Sequence, residues 1–295
     1  MGTTYFYLGR FDEARTHLIT AKSLYDPNQH RSHAFLYAQD PGITAASYLA
    51  RTLWILGEVE QAETLALEVI GMARELEHPF TRVITLVYLS WIYSTFRNAK
   101  RTLELADEAI AVSTQYSFEL GLALATTFQG WALAENGQEE GLGKLIHGLS
   151  AIRVTGAGLN STFTLALLAE IYLRHKRIDE GLGAIEEAQK FAATGGELFW
   201  QAELLRLKGE LLLAQSDPSV QAAEQCLCEA LKIAQDQHAK MFELRTATSL
   251  ARLWRKQNKV DEATRILKAV YSRFTEGVDN LDLIEAKTVL EQLSV

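Results

Sequence analysis

The sequence predicts an all-α fold, a right-handed α-α superhelix of about seven helical hairpins with a capping helix at the C-terminus. Helix-favouring Ala, Leu, Glu and Gln dominate the chain, prolines number only four, and the β-branched alternation of strands is absent. Short helix-opening segments recur about every 40 residues. The chain has 295 residues, 48% of them hydrophobic, which is too long for one ordinary globular core and favours an elongated array.

A small residue near the start of the second helix marks each predicted hairpin. The first interval between these positions is 48 residues, and the next five are 40, 39, 40, 42 and 40; the positions are Ala14, Ala62, Thr102, Gly141, Gly181, Ala223 and Ala263. A small side chain lets the two helices approach closely, which a larger one would prevent by overpacking. The turn before it carries Gly, Asn, Lys or Arg and then a carboxylate suited to a helix N-terminus. Each unit is therefore predicted to be helix A, a turn and helix B.

The ends of the array differ from its middle. Residues 1–25 are predicted to be a partial first repeat, and 26–42 a polar linker with two prolines. Repeats follow over 43–277, and 278–295 is predicted to be a capping helix, which a solenoid needs at its end. We interpret 1–295 as one solenoid domain. Because Met1 precedes what resembles the second half of a helix, we expect a fragment of a larger protein.

The stretch 199–213 shows how one repeat uses its faces. Leu205, Gly209 and Leu212 lie at i, i+4 and i+7, the spacing of a helix that buries one face. A second stripe at i, i+3 and i+7 carries charged side chains, namely Glu203, Arg206 and Glu210. One face is therefore predicted to be core and the other a surface that could contact a partner.

The period and the helix A pattern resemble the tetratricopeptide repeat. Three helices carry part of its signature: Leu89-Ser90 before Tyr93, Leu168-Ala169 before Tyr172, and Leu250-Ala251 before Trp254. The unit of about 40 residues exceeds the family's period of about 34, and the Pro that closes the family's unit is nearly absent. Longer helices would account for the extra residues.

Further segments resemble the C-terminal repeat region of large bacterial signalling ATPases, which are often fused to a class III adenylate or guanylate cyclase. These segments are 130–141, 155–158, 202–213, 239–254 and 270–293. The resemblance implies a non-catalytic interaction or sensor module of such a protein. The ATPase and cyclase parts are not in this sequence, so no catalysis is implied for it.

Charge and cysteine content restrict the setting. The net charge of −8 and the pI near 5.5 offer no basic field to nucleic acid or to an anionic membrane. No apolar run reaches the roughly 18 residues of a membrane span, and the start of the chain lacks a signal peptide. Cys226 and Cys228 would point about 200° apart on a helix and cannot readily pair. A reducing, cytoplasmic location is predicted.

Several fragments suggest chemistry that their surroundings do not support. GLGK at 141–144 lacks the first Gly and the Ser or Thr of a phosphate-binding loop, so we interpret it as part of a B helix. The glycines of TGAG (155–158) and TGG (194–196) fit helix C-caps. His30 and His33 could share a metal, but a solvated loop is favoured. No carboxylate joins a His or Ser in the order of a catalytic triad. We predict no enzyme activity, cofactor or metal for this segment.

The candidate partner site follows from the repeat, because A helices line the concave wall of a stacked array. Small residues recur at equivalent positions of the A helices, and the side chains near these positions are predicted to line the concave wall. Aromatic side chains would line one half of the wall, the aromatic half, and charged side chains the other, the charged half. The predicted partner-binding residues are Arg51, Trp54, Tyr88, Trp91, Trp131, Glu170, Glu203, Arg206, Glu210, Arg245 and Arg252. Two other interpretations stay open: the aromatic residues belong to the core between repeats, or the Glu and Arg residues only pair with one another.

The partner is predicted to be a protein, a peptide or another domain of the same chain. The alternative is a small-molecule receptor, with the ligand enclosed by the aromatic half in a pocket of ~300–1,000 Å³. Self-association into a homo-oligomer is a further option, because an array that starts at Met1 would expose an apolar face.

Overall fold

The computed structural model describes residues 1–294, and over that range the chain forms seventeen helices and no strand. The predicted all-α, tetratricopeptide-like repeat class is confirmed. The helices are α1 Gly2–Tyr7, α2 Phe11–Leu24, α3 Pro27–His30, α4 His33–Tyr37, α5 Pro41–Ile55, α6 Val59–Glu75, α7 Pro79–Thr95, α8 Ala99–Tyr116, α9 Glu119–Glu135, α10 Glu140–Val154, α11 Ser161–Arg174, α12 Ile178–Gly195, α13 Gln201–Leu213, α14 Val220–Asp236, α15 Lys240–Lys256, α16 Val260–Tyr271 and α17 Leu281–Leu293.

The predicted linker at 26–42 contains two short helices, α3 and α4, where we expected only a polar run. Asp26 starts α3 by accepting a hydrogen bond from the backbone N–H of Asn28, and Pro27 takes the first helical position, where its missing N–H costs nothing. Local capping chemistry therefore orders a segment whose composition resembles a loop.

The turns from A helix to B helix repeat one backbone conformation. A residue with positive φ lies in six of these turns among the described residues: Gly9, Gly57, Arg97, Gly137, Lys176 and Asn258. This left-handed conformation lets the chain leave one helix and start the next, and glycine adopts it at no steric cost. It explains why Gly and Asn recur at the predicted turns. Asn98 then caps α8 by accepting from the N–H of Arg101.

The helices α9 and α10 approach so closely that their contact is made by glycine. A Cβ placed on Gly130 would lie 2.2 Å from the backbone N of Leu145, and one on Gly141 would lie 2.2 Å from the backbone N of Ala134. Backbone atoms cannot move aside as a flexible side chain can. The small residue at the start of this B helix is therefore required by backbone packing, as the sequence predicted. GLGK is part of α10, as predicted.

Two glycines of α10 should respond in opposite ways to replacement by alanine. We expect Gly141→Ala to lower the free energy of unfolding by about 1–3 kcal/mol, because the added methyl group overpacks the contact with α9. Gly143 has nothing within 4 Å of an added Cβ. Gly143→Ala should therefore raise the free energy of unfolding by about 0.5–1 kcal/mol through reduced backbone entropy of the unfolded chain. Urea unfolding of both variants measures the difference, and equal effects would contradict the packing argument.

The chain divides into two compact units. Unit 1 comprises Met1–Phe6, Asp12–Leu53 and Gln61–Leu159, and unit 2 comprises Tyr7–Phe11, Trp54–Glu60 and the chain from Asn160 onward. The interpretation as a single domain stays a prediction. In unit 2, α17 packs on α15 and α16 through apolar side chains, among them Leu244, Leu267, Leu283 and Val289.

Two short segments of unit 2 come from far earlier in the chain. The carbonyl oxygen of Tyr7 accepts hydrogen bonds from the N–H groups of Leu198 and Phe199, at 2.8 and 3.1 Å. The ring of Phe11 lies against Phe242 in an edge-to-face arrangement. Aromatic side chains near helix ends thus join the start of the chain to the repeats after residue 160, which no periodic pattern predicts.

Candidate functional site

The predicted aromatic half lies mostly in unit 1, where it surrounds a buried arginine. Arg51 on α5 is 1% exposed, and its guanidinium carbon lies 4.3 Å from the ring centroid of Trp91 and 5.6 Å from that of Tyr88. The rings of Phe6 and Tyr48 lie at 4.7 and 4.9 Å. At these distances the ring quadrupoles attract the cation, and the attraction strengthens when water is excluded.

The helix repeat explains why these residues meet. Arg51 and Trp91 occupy the same row of consecutive A helices, α5 and α7, and are 40 residues apart. Equivalent positions of neighbouring A helices lie side by side, and Arg51 and Trp91 are in contact for that reason. The open surface that we expected is absent here, since Trp91 is 2% exposed and Trp131 is 1% exposed. In this structure these side chains are core.

Trp54 lies in unit 2, apart from the other predicted aromatic residues. Its ring stacks on Trp200 at 6.2 Å between centroids and meets Phe242 edge-to-face at 5.9 Å. The guanidinium of Arg245 lies 4.9 Å from the Trp54 ring centroid. Trp54 is fully buried, so it joins a rigid aromatic cluster and is not available to a partner.

The predicted charged half lies entirely in unit 2, and its centre is a buried ion-pair network. Glu203 on α13 accepts from Arg206 Nε and Nη2 at 2.9 and 3.0 Å and from Arg245 Nη1 at 3.2 Å. Arg245 on α15 also donates to Asp282 on α17, with Nη2 at 2.8 Å. The negative charges of two carboxylates thus balance the positive charges of two guanidinium groups. Buried charges require such pairing to offset the loss of water.

The network changes the proton affinity of its members. Burial by itself raises the pKa of Glu203, but the charges of Arg206 and Arg245 and their hydrogen bonds outweigh burial and hold that pKa below its ordinary value. For Arg206, burial acts to lower the pKa and the Glu203 carboxylate raises it above its ordinary value. Glu203 and Arg206 therefore stay charged at neutral pH.

The outer members of the charged half are more exposed. Arg252 pairs with Glu285 at 2.5 Å, and Glu170 pairs with Arg174 at 2.9 Å. Glu210 is half-buried on α13. With the buried network, they place charged side chains on four A-type helices, α11, α13, α15 and α17. We call this set the charged strip; its residues are Glu170, Glu203, Arg206, Glu210, Arg245, Arg252, Asp282 and Glu285.

Glu203 was predicted to lie on a stripe that faces solvent. The structure corrects this prediction, because Glu203 is only 1% exposed. Asp282 and Glu285 were not among the predicted residues, because α17 was expected to be only a cap. The repeat interval could have identified Asp282. Arg245 lies 42 residues after Glu203 and Asp282 lies 37 residues after Arg245, and both separations are close to the repeat of about 40 residues. The role of the predicted residues in binding a partner stays a prediction.

A buried carboxylate that the sequence did not predict, that of Glu197, has a structural role. Glu197 precedes α13 and accepts hydrogen bonds from the backbone N–H of Asn160 and from both the N–H and the hydroxyl of Thr162. These groups lie at the N-terminus of α11. Glu197 therefore caps a helix 35 residues earlier and stabilises its positive end.

The remaining chemical fragments have structural explanations. Gly156 and Gly196 adopt positive φ at the ends of α10 and α12, as C-cap glycines do. Cys226 and Cys228 are free thiols, half-buried and exposed, and burial raises the pKa of both. Over residues 1–294, no group of three or more His, Cys, Asp or Glu side chains is placed to hold a metal ion, and no helix is long and apolar enough to cross a membrane.

Unit 1 contains a cavity of about 400 Å³ beside its first helices. Polar side chains of its wall come from His17, Tyr37, Gln39 and Thr44, and small or apolar ones from residues such as Ala21 and Ala45. None of the predicted site residues lines this cavity. The small-molecule alternative therefore has a cavity of suitable size, but at a different place from the aromatic half.

Antiparallel helix pairs that repeat at intervals near 40 residues define the class as a tetratricopeptide-like helical repeat. Residues 43–77 match the family described as tetratricopeptide repeat. No curated protein in the comparison matches the chain.

Solved structures share the fold over nearly the whole chain. The apo form of RapI is 15% identical, with 99% of this chain and 96% of that chain covered and a TM-score of 0.56. A signal-transduction ATPase with numerous domains from Pyrococcus horikoshii, which has a tetratricopeptide repeat sensor, is 12% identical with a TM-score of 0.58; 96% of this chain and 48% of that chain are covered. Yeast Tom70 is 15% identical, with 96% and 60% covered and a TM-score of 0.52. At these identities the likeness shows the fold alone.

Proposed function

We propose that this chain is a non-catalytic interaction or sensor module of a bacterial signalling ATPase or cyclase, and that it binds a protein or peptide segment at the charged strip. The chief support is that the strip crosses four consecutive A-type helices and leaves charged groups accessible at both ends, at Glu170 and at the Arg252–Glu285 pair. Charges in such a row set the register and orientation of a bound segment. Repeats of this type commonly mediate contacts between proteins, and one structure with the fold contains a repeat sensor within a signalling ATPase.

Peptide selection tests the proposal without knowledge of the partner. Random peptides displayed on phage are selected against the immobilised chain, and the recovered peptides are titrated against variants. We expect Arg252→Glu to weaken their binding by about ten-fold or more, because it reverses a charge at the accessible end of the strip.

Two control variants separate recognition from folding. Lys190→Glu reverses a charge on a side chain that is 72% exposed on α12 and outside the strip, and should leave binding unchanged. Arg252→Glu combined with Glu285→Arg keeps an ion pair at the same place but exchanges its charges, so it should bind no better than the single variant. Peptides that bind all three variants equally would rule out the strip as the binding site.

The small-molecule alternative is supported by the cavity in unit 1, whose volume lies within the usual range for ligand sites. Ala21 is exposed and lines this cavity, so Ala21→Phe should fill it without disturbing the core. A small molecule that raises the melting temperature of the natural chain but not of Ala21→Phe would favour this second function.

A further inference from the structure

The first two residues of α6 and the segment between α16 and α17, both in unit 2, hold each other by reciprocal hydrogen bonds. The N–H of Gly277 donates to Glu60 Oε1 at 2.9 Å, and the N–H of Glu60 donates to Glu276 Oε1 at 3.1 Å. More than 200 residues separate the partners in each bond, at 217 and 216 positions. As in a capping box, each carboxylate satisfies a backbone donor of the other segment. Glu276 thereby caps the positive end of α6.

Glycine makes this approach sterically feasible on both sides. Gly57 and Gly277 have φ values of +86° and +74°, a conformation that other residues rarely adopt. A Cβ on Gly57 would lie 2.9 Å from the Phe274 ring, and a Cβ on Gly277 would lie 2.9 Å from the Val59 side chain. Each glycine is thus required by its own backbone and by the side chain that the opposite segment places against it.

The segment Trp54–Glu60 is held differently at its two ends. At one end, Trp54 is fully buried between Trp200 and Phe242. At the other end, Glu60 is exposed and forms the two hydrogen bonds to Glu276 and Gly277, and the buried side chain of Val59 lies beside Gly277. An end held by two hydrogen bonds and one aliphatic side chain opens more readily than an end packed within an aromatic cluster.

We propose that Glu60, Glu276 and Gly277 form a reversible latch that opens locally while Trp54 stays buried. The left-handed residues Gly57 and Gly277 are the hinges, because a few such turn residues can absorb a large change of φ and ψ. Opening removes the cap of α6 and separates Gly57 from Phe274, a side chain that is half-buried in the closed state. This proposal does not rest on what the charged strip binds.

Thiol labelling tests the latch in the full chain. Phe274→Cys is introduced with Cys226→Ser and Cys228→Ser, and its reaction with 5,5′-dithiobis(2-nitrobenzoate) reports opening. Removing either carboxylate, by Glu276→Ala or Glu60→Ala, should raise the labelling rate about ten-fold or more, because the closed state loses its polar contacts. Glu262→Ala, which removes an exposed carboxylate from α16, should leave the rate unchanged. Equal rates in all three variants would overturn the proposal.

Amide hydrogen exchange gives a second readout that does not depend on the added cysteine. In Glu276→Ala and Glu60→Ala of the otherwise natural chain, the amides of Glu60 and Gly277 should exchange faster, and the buried amide of Leu250 on α15 should keep its protection. Faster exchange at Leu250 as well would show that the whole unit unfolds, and unchanged exchange at Glu60 and Gly277 would show that no latch exists. Either result would overturn the proposal.

Discussion

Replacing Glu203 with alanine is expected to lower the free energy of unfolding by about 3–5 kcal/mol, because it leaves buried guanidinium charge without its counter-ion. The side chain of Glu203 is 2% exposed, and those of Arg206 and Arg245 are 15% and 13% exposed. After the substitution Arg245 retains Asp282, whereas Arg206 loses every hydrogen bond that it makes to Glu203. Urea unfolding followed by circular dichroism measures the change.

The matched control for this prediction is Glu210→Ala on the same helix. Glu210 is half-buried, so its removal should cost less than about 1 kcal/mol, the usual worth of an ion pair open to water. A loss at Glu203 no larger than the loss at Glu210 would show that the buried network does not stabilise unit 2.

The same carboxylate predicts a dependence of stability on pH. The pKa of Glu203 is lower in the folded chain than its ordinary value of 4.5, so the folded state holds its proton less tightly than the unfolded state does. The stabilisation is therefore fully present above pH 4.5 and is lost as the pH falls through the lower folded-state pKa. Glu203→Gln, which cannot ionise, should flatten this part of the stability profile.

Replacing Trp200 with alanine is expected to lower the free energy of unfolding by about 3–5 kcal/mol, the cost of removing a large buried aromatic side chain and leaving a cavity. Trp200 is 3% exposed, and its ring contacts four other aromatic side chains, Trp54, Phe163, Phe199 and Phe242. The Phe163 and Phe242 centroids lie 4.8 and 4.9 Å away, within the range of favourable edge-to-face pairs. Thermal and urea unfolding both report the loss.

Phe35→Ala is the control for the tryptophan variant. Phe35 is 74% exposed on α4, so its truncation should change the free energy of unfolding by no more than about 0.5 kcal/mol.

The fluorescence emission spectrum of Trp200→Ala should shift towards longer wavelength, because Trp54 loses its stacking partner and becomes exposed to water. A stable variant with an unshifted spectrum would show that Trp54 is held without Trp200.

The charged strip shows which contacts the repeat interval of the sequence can predict. Glu203, Arg206 and Arg245 were predicted to share one face, and the structure joins all three by hydrogen bonds. The prediction works because the position of a side chain around a helix, and of one A helix beside the next, repeats at a nearly constant interval. The same count would have reached Asp282 if α17 had been included.

The repeat interval does not determine which helix face is exposed to solvent. Arg51, Trp54 and Trp91 occupy the rows where a partner was expected, yet each is almost fully buried. Phe6 packs over Arg51, and Trp200 covers Trp54. These covering residues lie 45 and 146 positions from the side chains that they bury, outside any local pattern.

The amino-acid sequence by itself determined the long repeated helices and their pairing into hairpins, because both depend on residues close together in the chain. Only the tertiary structure decided that Trp54 and Glu203 are core, that Glu197 caps α11 and that Glu60 meets Gly277. The reason is physical: burial and reciprocal capping depend on which distant segments come into contact, and a periodic pattern predicts contacts only between equivalent positions of neighbouring repeats.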